Sequence, residues 1–342
     1  MITIGIPVYN CPKELISQCL NSVLNQTIND IEILIINDCC TDDTMDYILH
    51  YIKGRSNEKK IRIINHKINT GIGGARNTII QEAKGEYIFF IDCDDFITID
   101  AIEKLYNKAK EYNADSVWGS VMGHTISNNS ERIFSQNPDM HFLAQDELAT
   151  YAFSDSHVHL PNAVWNILIK IDFIKKNNLQ FETECGSCDD YVFTFKMIPL
   201  VKNAVLLKDI TYYWVIREGS QSNPIETVIS SKPLRKAIVA NNVLKNYSQS
   251  LKQKPYYEGY CLRVSKESFF NAHAIVKLRS KLDYPILNRE IKESISPIES
   301  FLNICKFKKH RKKNLVFYCL AKLPSFIIPF ILRFLYDVRK TL

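Results

Sequence analysis

Gly85-Glu86-Tyr87-Ile88-Phe89-Phe90-Ile91-Asp92-Cys93-Asp94-Asp95 sets an apolar run directly against three acids. An unbroken run of this kind predicts a strand buried on both faces, as in a parallel sheet. Its abrupt end in charge puts the acids at the carboxyl edge of that sheet, where open α/β folds bind ligands. The same pattern repeats upstream. Ile31–Ile36 is an apolar run closed by Asn37-Asp38, and Ile2–Tyr9 and Ile61–Ile64 read as further strands. Helical spacing fills the gaps: Leu15, Cys19, Leu20, Val23 and Leu24 form one stripe, Thr41–Ile52 another, and Gly74–Lys84 a third. Asn10 and Pro12 suit the start of the first of these helices. Downstream, Ile99–Tyr112 reads as helix and Asp115–Val121 as a strand. Strands alternating with helices predict an α/β, Rossmann-like, mostly parallel central sheet flanked by helices.

Past this block the periodicity weakens. Val164–Ile169 reads as a strand, Asp189–Leu200 as a helix and Ala204–Ile216 as two strands. After residue 230 the pattern is helical, over Ser231–Leu251, Tyr256–Leu278 and Ile286–Asn303. The expected organisation is a domain over 1–229, with a nucleotide-binding part at 1–121 and an acceptor-side part at 122–229. A helical region at 230–305 and a basic amphipathic tail at 306–342 follow.

The chain of 342 residues is 46% hydrophobic and 23% charged, which excludes whole-chain disorder. Its net charge of +6 is unevenly spread. Residues 306–342 carry ten Lys or Arg against one acid, and the rest carries 33 against 36. A mildly acidic body argues against a nucleic-acid partner. The N-terminus has no basic and apolar leader pattern, so no secretory signal is expected. The ten cysteines are scattered, with a lone CxxC at Cys185–Cys188, and read as reduced thiols of a cytoplasmic protein. His66, His124, His141, His157 and His159 lack metal-ligand spacing.

Acids gathered at strand ends repel one another and need compensation. A divalent cation is the simplest, and oxygen ligands suit Mg²⁺ or Mn²⁺. The segment Asn69-Thr70-Gly71-Ile72-Gly73-Gly74-Ala75-Arg76-Asn77 offers backbone amides at a helix start, and a guanidinium, to a diphosphate. It does not follow the first strand, which disfavours a dinucleotide fold.

In this order, Ile6-Pro7-Val8-Tyr9-Asn10, Ile36-Asn37-Asp38 with Thr41-Asp42-Asp43-Thr44, Asn69–Asn77 and Gly85–Asp95 resemble glycosyltransferase family 2. The resemblance implies a GT-A fold and inverting transfer of a sugar from a nucleotide donor, here a UDP-sugar. It implies that Pro7 and Tyr9 line the nucleobase pocket and that Asp38 accepts a uracil N–H, unless Asp38 caps the helix that follows it. Arg76 and Asn77 would lie near the ribose and diphosphate, Asp92 at the ribose or metal, and Asp94 on the metal. Asp189-Asp190-Tyr191-Val192-Phe193 falls where the family carries its base. That makes Asp190 the general base, with Asp189 in place of the usual Glu; otherwise both acids favour the helix dipole. Arg217 either approaches the diphosphate or sits in a surface turn. Trp165 and Trp214 either stack on acceptor sugars or are core. Cys39 and Cys40 replace the small turn residues usual after the second strand.

The tail begins Lys306-Phe307-Lys308-Lys309-His310-Arg311-Lys312-Lys313. Its longest uncharged apolar run, Leu323–Leu332, spans ~15 Å as a helix, half of a bilayer core. It either lies on an anionic membrane or packs on the protein. The expected protein works peripherally at the inner face of a bacterial membrane on a surface-glycan or lipid-linked glycan acceptor. A homo-oligomer is left open. The alternatives are a sugar-nucleotide nucleotidyltransferase, disfavoured because no basic Gly-rich loop follows the first strand, and a catalytically silent membrane-surface scaffold.

Overall fold

The computed structural model describes residues 1–54, 60–154, 160, 163–218, 230–295 and 311–333. His157, His159, Ser220–Ser222 and most of the basic block lie outside the described residues.

The chain forms β1 (Ile2–Val8), α1 (Lys13–Leu24), β2 (Ile31–Asn37), α2 (Thr44–Ile52), β3 (Lys60–Asn65), α3 (Gly71–Glu82) and β4 (Tyr87–Phe90). Then come β5 (Phe96–Ile97), α4 (Ala101–Tyr112), β6 (Ser116–Thr125), β7 (Ser130–Ser135), β8 (Met140–Phe142), α5 (Glu147–Phe153), β9 (Ile167–Lys170) and α6 (Ile171–Lys176). Next are α7 (Asp189–Met197) and β10 (Ala204–Ile216), followed by α8 (Lys232–Ser248), α9 (Tyr257–Leu278), α10 (Asn288–Ile295) and α11 (Arg311–Lys322).

The main path of the sheet runs β3-β2-β1-β4-β9-β6-β10-β5, with β7 on β6 and β8 on β10. The first four strands are parallel. Beyond β4 the sheet is mixed, because β9 enters antiparallel between β4 and β6. Strand order reverses at β1, which has β2 on one side and β4 on the other. That reversal is where an open sheet leaves a crevice at its carboxyl edge.

Two layers cover the parallel strands. Ile2, Ile4, Ile6 and Val8 of β1 share a core with Leu15, Ile16, Cys19, Leu20 and Val23 of α1 and with Ile102 and Leu105 of α4. Each such side chain contributes about 1.5–3 kcal/mol by leaving water. The opposite face of β1 carries α3. A Cβ on Gly5 would sit 2.3 Å from Ile79, so glycine there lets α3 lie close on the sheet.

Two expectations change. Ala204–Ile216 is one strand, not two; register shifts between Leu206 and Ile210 and between Ile210 and Tyr212 absorb the polar Lys208-Asp209. The third helix begins at Gly71, three residues earlier than its periodicity indicated.

The chain divides into two compact units: residues 1–148, 158–183 and 189–223, and residues 149–157, 184–188 and 224–342. In the second unit α8, α9 and α10 share a core of Ile238, Phe269, Ala272, Ile275, Ile286, Ile291 and Ile295. Leu320, Ala321, Ile328 and Leu332 are buried in that same core. In the described part of the expected amphipathic tail these four side chains pack on the protein, while Phe326 and Phe330 face outward. Among the described residues no helix is long and apolar enough to cross a membrane.

Candidate active site

The site is built at the carboxyl edge of β1, β2 and β4, within the first unit. Backbone pairing carries on one residue past the strands: Asp38 N donates to Val8 O and Ile91 N to Gly5 O. Pro7 is buried in β1, and Tyr9, just past it, is half exposed. Asn10 and Thr41 clasp the two loops that follow β1 and β2, each bond at 2.9 Å. Cys39 takes a left-handed φ of +61°, a conformation that favours glycine, and its thiol donates to His66 O.

Asp38 is buried and turned toward the start of α3. Its Oδ1 accepts from Thr70 N (2.8 Å) and Thr70 Oγ (3.0 Å) and lies 2.8 Å from His66 Nδ1. Its Oδ2 accepts from Gly71 N at 2.8 Å. Asp38 thus caps α3, which explains why that helix starts early. The amides expected to cradle a diphosphate are here engaged by this carboxylate. His66 was not singled out by any spacing, yet it links Asp38 to Thr78 through its other ring nitrogen at 2.9 Å.

Arg76, five residues into α3, is fully buried. It donates to Asp92 Oδ1 at 2.8 Å and to Asp189 Oδ2 at 3.2 Å. One guanidinium therefore joins the end of β4 to the start of α7. Gly73 makes room for this: a Cβ there would lie 3.1 Å from Asp189 Oδ2. Phe181 lies under the guanidinium at 5.5 Å. Asn77, expected beside the ribose, instead exchanges two hydrogen bonds with the Phe181 backbone, at 2.9 and 2.8 Å. It fixes the floor beneath Arg76.

The three acids after β4 have three different partners. Asp92 meets Arg76, Asp94 lies 3.3 Å from Arg217, and Asp95 is buried against β10. Asp95 accepts from Tyr212 Oη and Val215 N, both at 2.7 Å, and so pins the acidic turn to the sheet. Cys11 and Cys19 brace the same turn from below by donating to Cys93 O and Asp92 O. Trp165 is buried and stacks on Tyr212 at 4.8 Å, which places it in the core beneath the site.

Burial, and then the charge of Asp92, push the Asp94 carboxyl up, while Arg217 opposes them. Burial likewise raises Asp189 against the pull of Arg76. Asp190, half-buried, is pushed up to about 7 by desolvation and by its neighbours Asp189 and Asp92, with Arg76 acting against them. Its Oδ1 accepts from the Tyr191 amide at 2.7 Å in the first turn of α7.

Much of the compensation expected from a cation comes from Arg76 and Arg217. Among the described residues no three metal-ligating side chains converge. Asp92 and Asp94 are still close enough for the charge of one to raise the other. Mg²⁺-type sites commonly use one or two carboxylates together with substrate phosphates, so this hard-oxygen pair fits such an ion.

Residues 3–163, which hold all of these elements except α7 and β10, match the family profile described as Glycosyl transferase family 2. This segment belongs to glycosyl transferase family 2. The chain is 32% identical over 224 residues, 64% of its length, to the poly(ribitol-phosphate) beta-glucosyltransferase of Bacillus spizizenii, and spans 33% of that relative's length. It is 27% identical to the poly(ribitol-phosphate) beta-N-acetylglucosaminyltransferase TarP of Staphylococcus aureus, over 83% of this chain and 85% of TarP. Crystal structures of residues 1–349 of S. aureus TarS, with UDP and with UDP-GlcNAc, superpose with TM-scores of 0.55 and 0.57 at 19% and 17% identity. Each covers 94% of this chain and 90% of the TarS chain. The fold is GT-A.

Proposed function

We propose that the protein is an inverting glycosyltransferase that moves a sugar from a UDP-sugar to a hydroxyl of a polyol-phosphate surface glycan. One observation carries this reading: Arg76 bonds both Asp92 and Asp189. Asp92, on the donor side, is thereby tied to Asp189, the chain neighbour of Asp190, which is the acid on the acceptor side. The names of the relatives support the donor and acceptor classes.

Tyr9 meets the nucleobase, Asp38 holds the start of α3 and keeps a second lone pair on Oδ2 for a uracil N–H, Arg76 steadies Asp92, and Arg217 lies over the diphosphate. Asp94 and Asp92 would hold Mn²⁺ or Mg²⁺, which when bound would neutralise charge on the departing diphosphate. Asp190 faces the acceptor. As the hydroxyl oxygen attacks the anomeric carbon, its proton passes to an Asp190 oxygen, and the bond from that carbon to the diphosphate breaks with inversion. A carboxyl held near pH 7 suits this transfer, because the base is close in basicity to the operating pH. A lipid-linked acceptor would be met at the inner face of the membrane, and we place the protein there.

The test is a thermal-shift panel of nucleoside diphosphates with and without Mn²⁺. UDP with metal is expected to give the largest shift, about 2.7 kcal/mol of stabilisation at 100 times its dissociation constant. Asp94→Ala should remove the metal-dependent part. Equal shifts for all nucleotides, indifferent to metal, would contradict the assignment and favour a silent scaffold.

A further inference from the structure

The second unit holds a cavity of about 520 Å³ that the transfer chemistry does not use. Helix α9 supplies its first wall. His273, Val276 and Lys277 stand at i, i+3 and i+4, on one helical face. The turn after α9 adds Arg279 and Ser280, Asn288 comes from the start of α10, and Arg333 from the chain after α11. Among the described residues the lining has four groups that are cationic or able to become so, and no carboxylate. Phe330 and Leu332 add apolar lining, with Leu332 anchored in the helical core and Phe330 turned outward. Phe326, one turn earlier, is also exposed. Among the described residues Asn288 Oδ1 has no hydrogen-bond partner, so its carboxamide has an acceptor to offer once it turns toward a ligand hydroxyl.

A soluble polyanion would need the cations but not the apolar lining, and a neutral lipid the reverse. The two together match a phosphate joined to an acyl chain. We propose that this cavity binds the headgroup of an anionic phospholipid. The phosphate rests among Lys277, Arg279 and Arg333, the first part of the chain lies along Phe330 and Leu332, and a headgroup hydroxyl meets Asn288. The assignment rests on the membrane-face reading above and makes it specific; glycosyl transfer does not enter it.

The experiment is co-sedimentation of the full chain with vesicles of phosphatidylcholine alone or mixed with phosphatidylglycerol. Wild type should bind only the mixed vesicles. Lys277→Gln with Arg279→Gln should weaken that binding about thirtyfold, from ~1 kcal/mol per basic residue at an anionic surface. Lys232→Gln with Lys252→Gln removes the same charge from exposed positions outside the cavity and should change binding less than about threefold. Asn288→Leu should reduce the preference for phosphatidylglycerol over phosphatidylserine at constant charge. Unchanged melting temperatures would show that the variants fold. If wild type ignores both vesicles, the membrane-face reading fails. If wild type binds and the two charge variants behave alike, the cavity assignment alone fails. Full displacement by soluble glycerol phosphate at matched phosphate would also overturn it, because the chain would then contribute nothing.

Discussion

Replacing Asp190 by Asn should stabilise the protein at alkaline pH while removing its activity. The Asp190 carboxyl is raised from an ordinary 3.8 to about 7. The folded state therefore holds its proton to higher pH than the unfolded chain does. Between about pH 4 and pH 7 the unfolded chain binds fewer protons, so the contribution of this group to stability falls as pH rises. Above pH 7 the full cost of a desolvated charge is present. A gap of about three pH units at ~1.36 kcal/mol each sets an upper figure of ~4 kcal/mol. Asp189 and Asp92 share the repulsion and solvent reaches the half-buried group, so about 2 kcal/mol is the working value. At ~2–4 °C per kcal/mol for a folding unit of roughly 150–250 residues, Asp190→Asn should melt ~4–8 °C higher at pH 8.5. At pH 4, where wild type carries the proton, the two should melt together. Thermal unfolding followed by circular dichroism across this range is the assay. A difference that does not depend on pH, or a less stable Asn variant at pH 8.5, would refute the reasoning.

Other outcomes follow from the same network. Arg76→Met leaves Asp189 buried and unpaired and should cost about 3–5 kcal/mol in denaturant unfolding. Adding Asp189→Asn should recover a large part of that loss, because the two sites are coupled. Gly73→Ala puts a methyl 3.1 Å from Asp189 Oδ2 and should destabilise by about 1–3 kcal/mol, read by the same unfolding curve. The pH profile of kcat/KM should fall about tenfold per pH unit below pH 7, as the free enzyme's base takes up its proton; a flat profile down to pH 5 would exclude Asp190 as that base.

The parallel half of the fold is legible in the sequence because its strands are buried on both faces and its helices on one. Runs such as Ile31–Ile36 and stripes such as Leu15–Val23 need no distant information. The middle is not legible in this way. Strand β7 is exposed along most of its length, so it carries no alternation, and β8 is too short to show any. The site divides along the same line. Asp92, Asp94 and Asp190 stand out because acids interrupt apolar patterns at element ends. The roles of Asp38, Asn77 and Asp95 depend on partners 32, 104 and 120 positions away, and no local spacing reports those. His66 carried one faint signal, its place just past β3, on the same edge as Asp38. The tail's composition left a membrane surface and packing on the protein both open, because no local spacing reports that Leu320, Ile328 and Leu332 have a core within reach.

The central claim is that Asp190 removes the acceptor's proton while the acids after β4 hold the donor. Its most direct test is acceptor-dependent release of UDP from a UDP-sugar, measured on wild type and Asp190→Asn above pH 7 with a polyol-phosphate acceptor. The account predicts an unchanged UDP-dependent thermal shift in the variant and a rate about 10²–10⁴-fold lower, the range of a lost general base. Turnover within a few fold of wild type would contradict it.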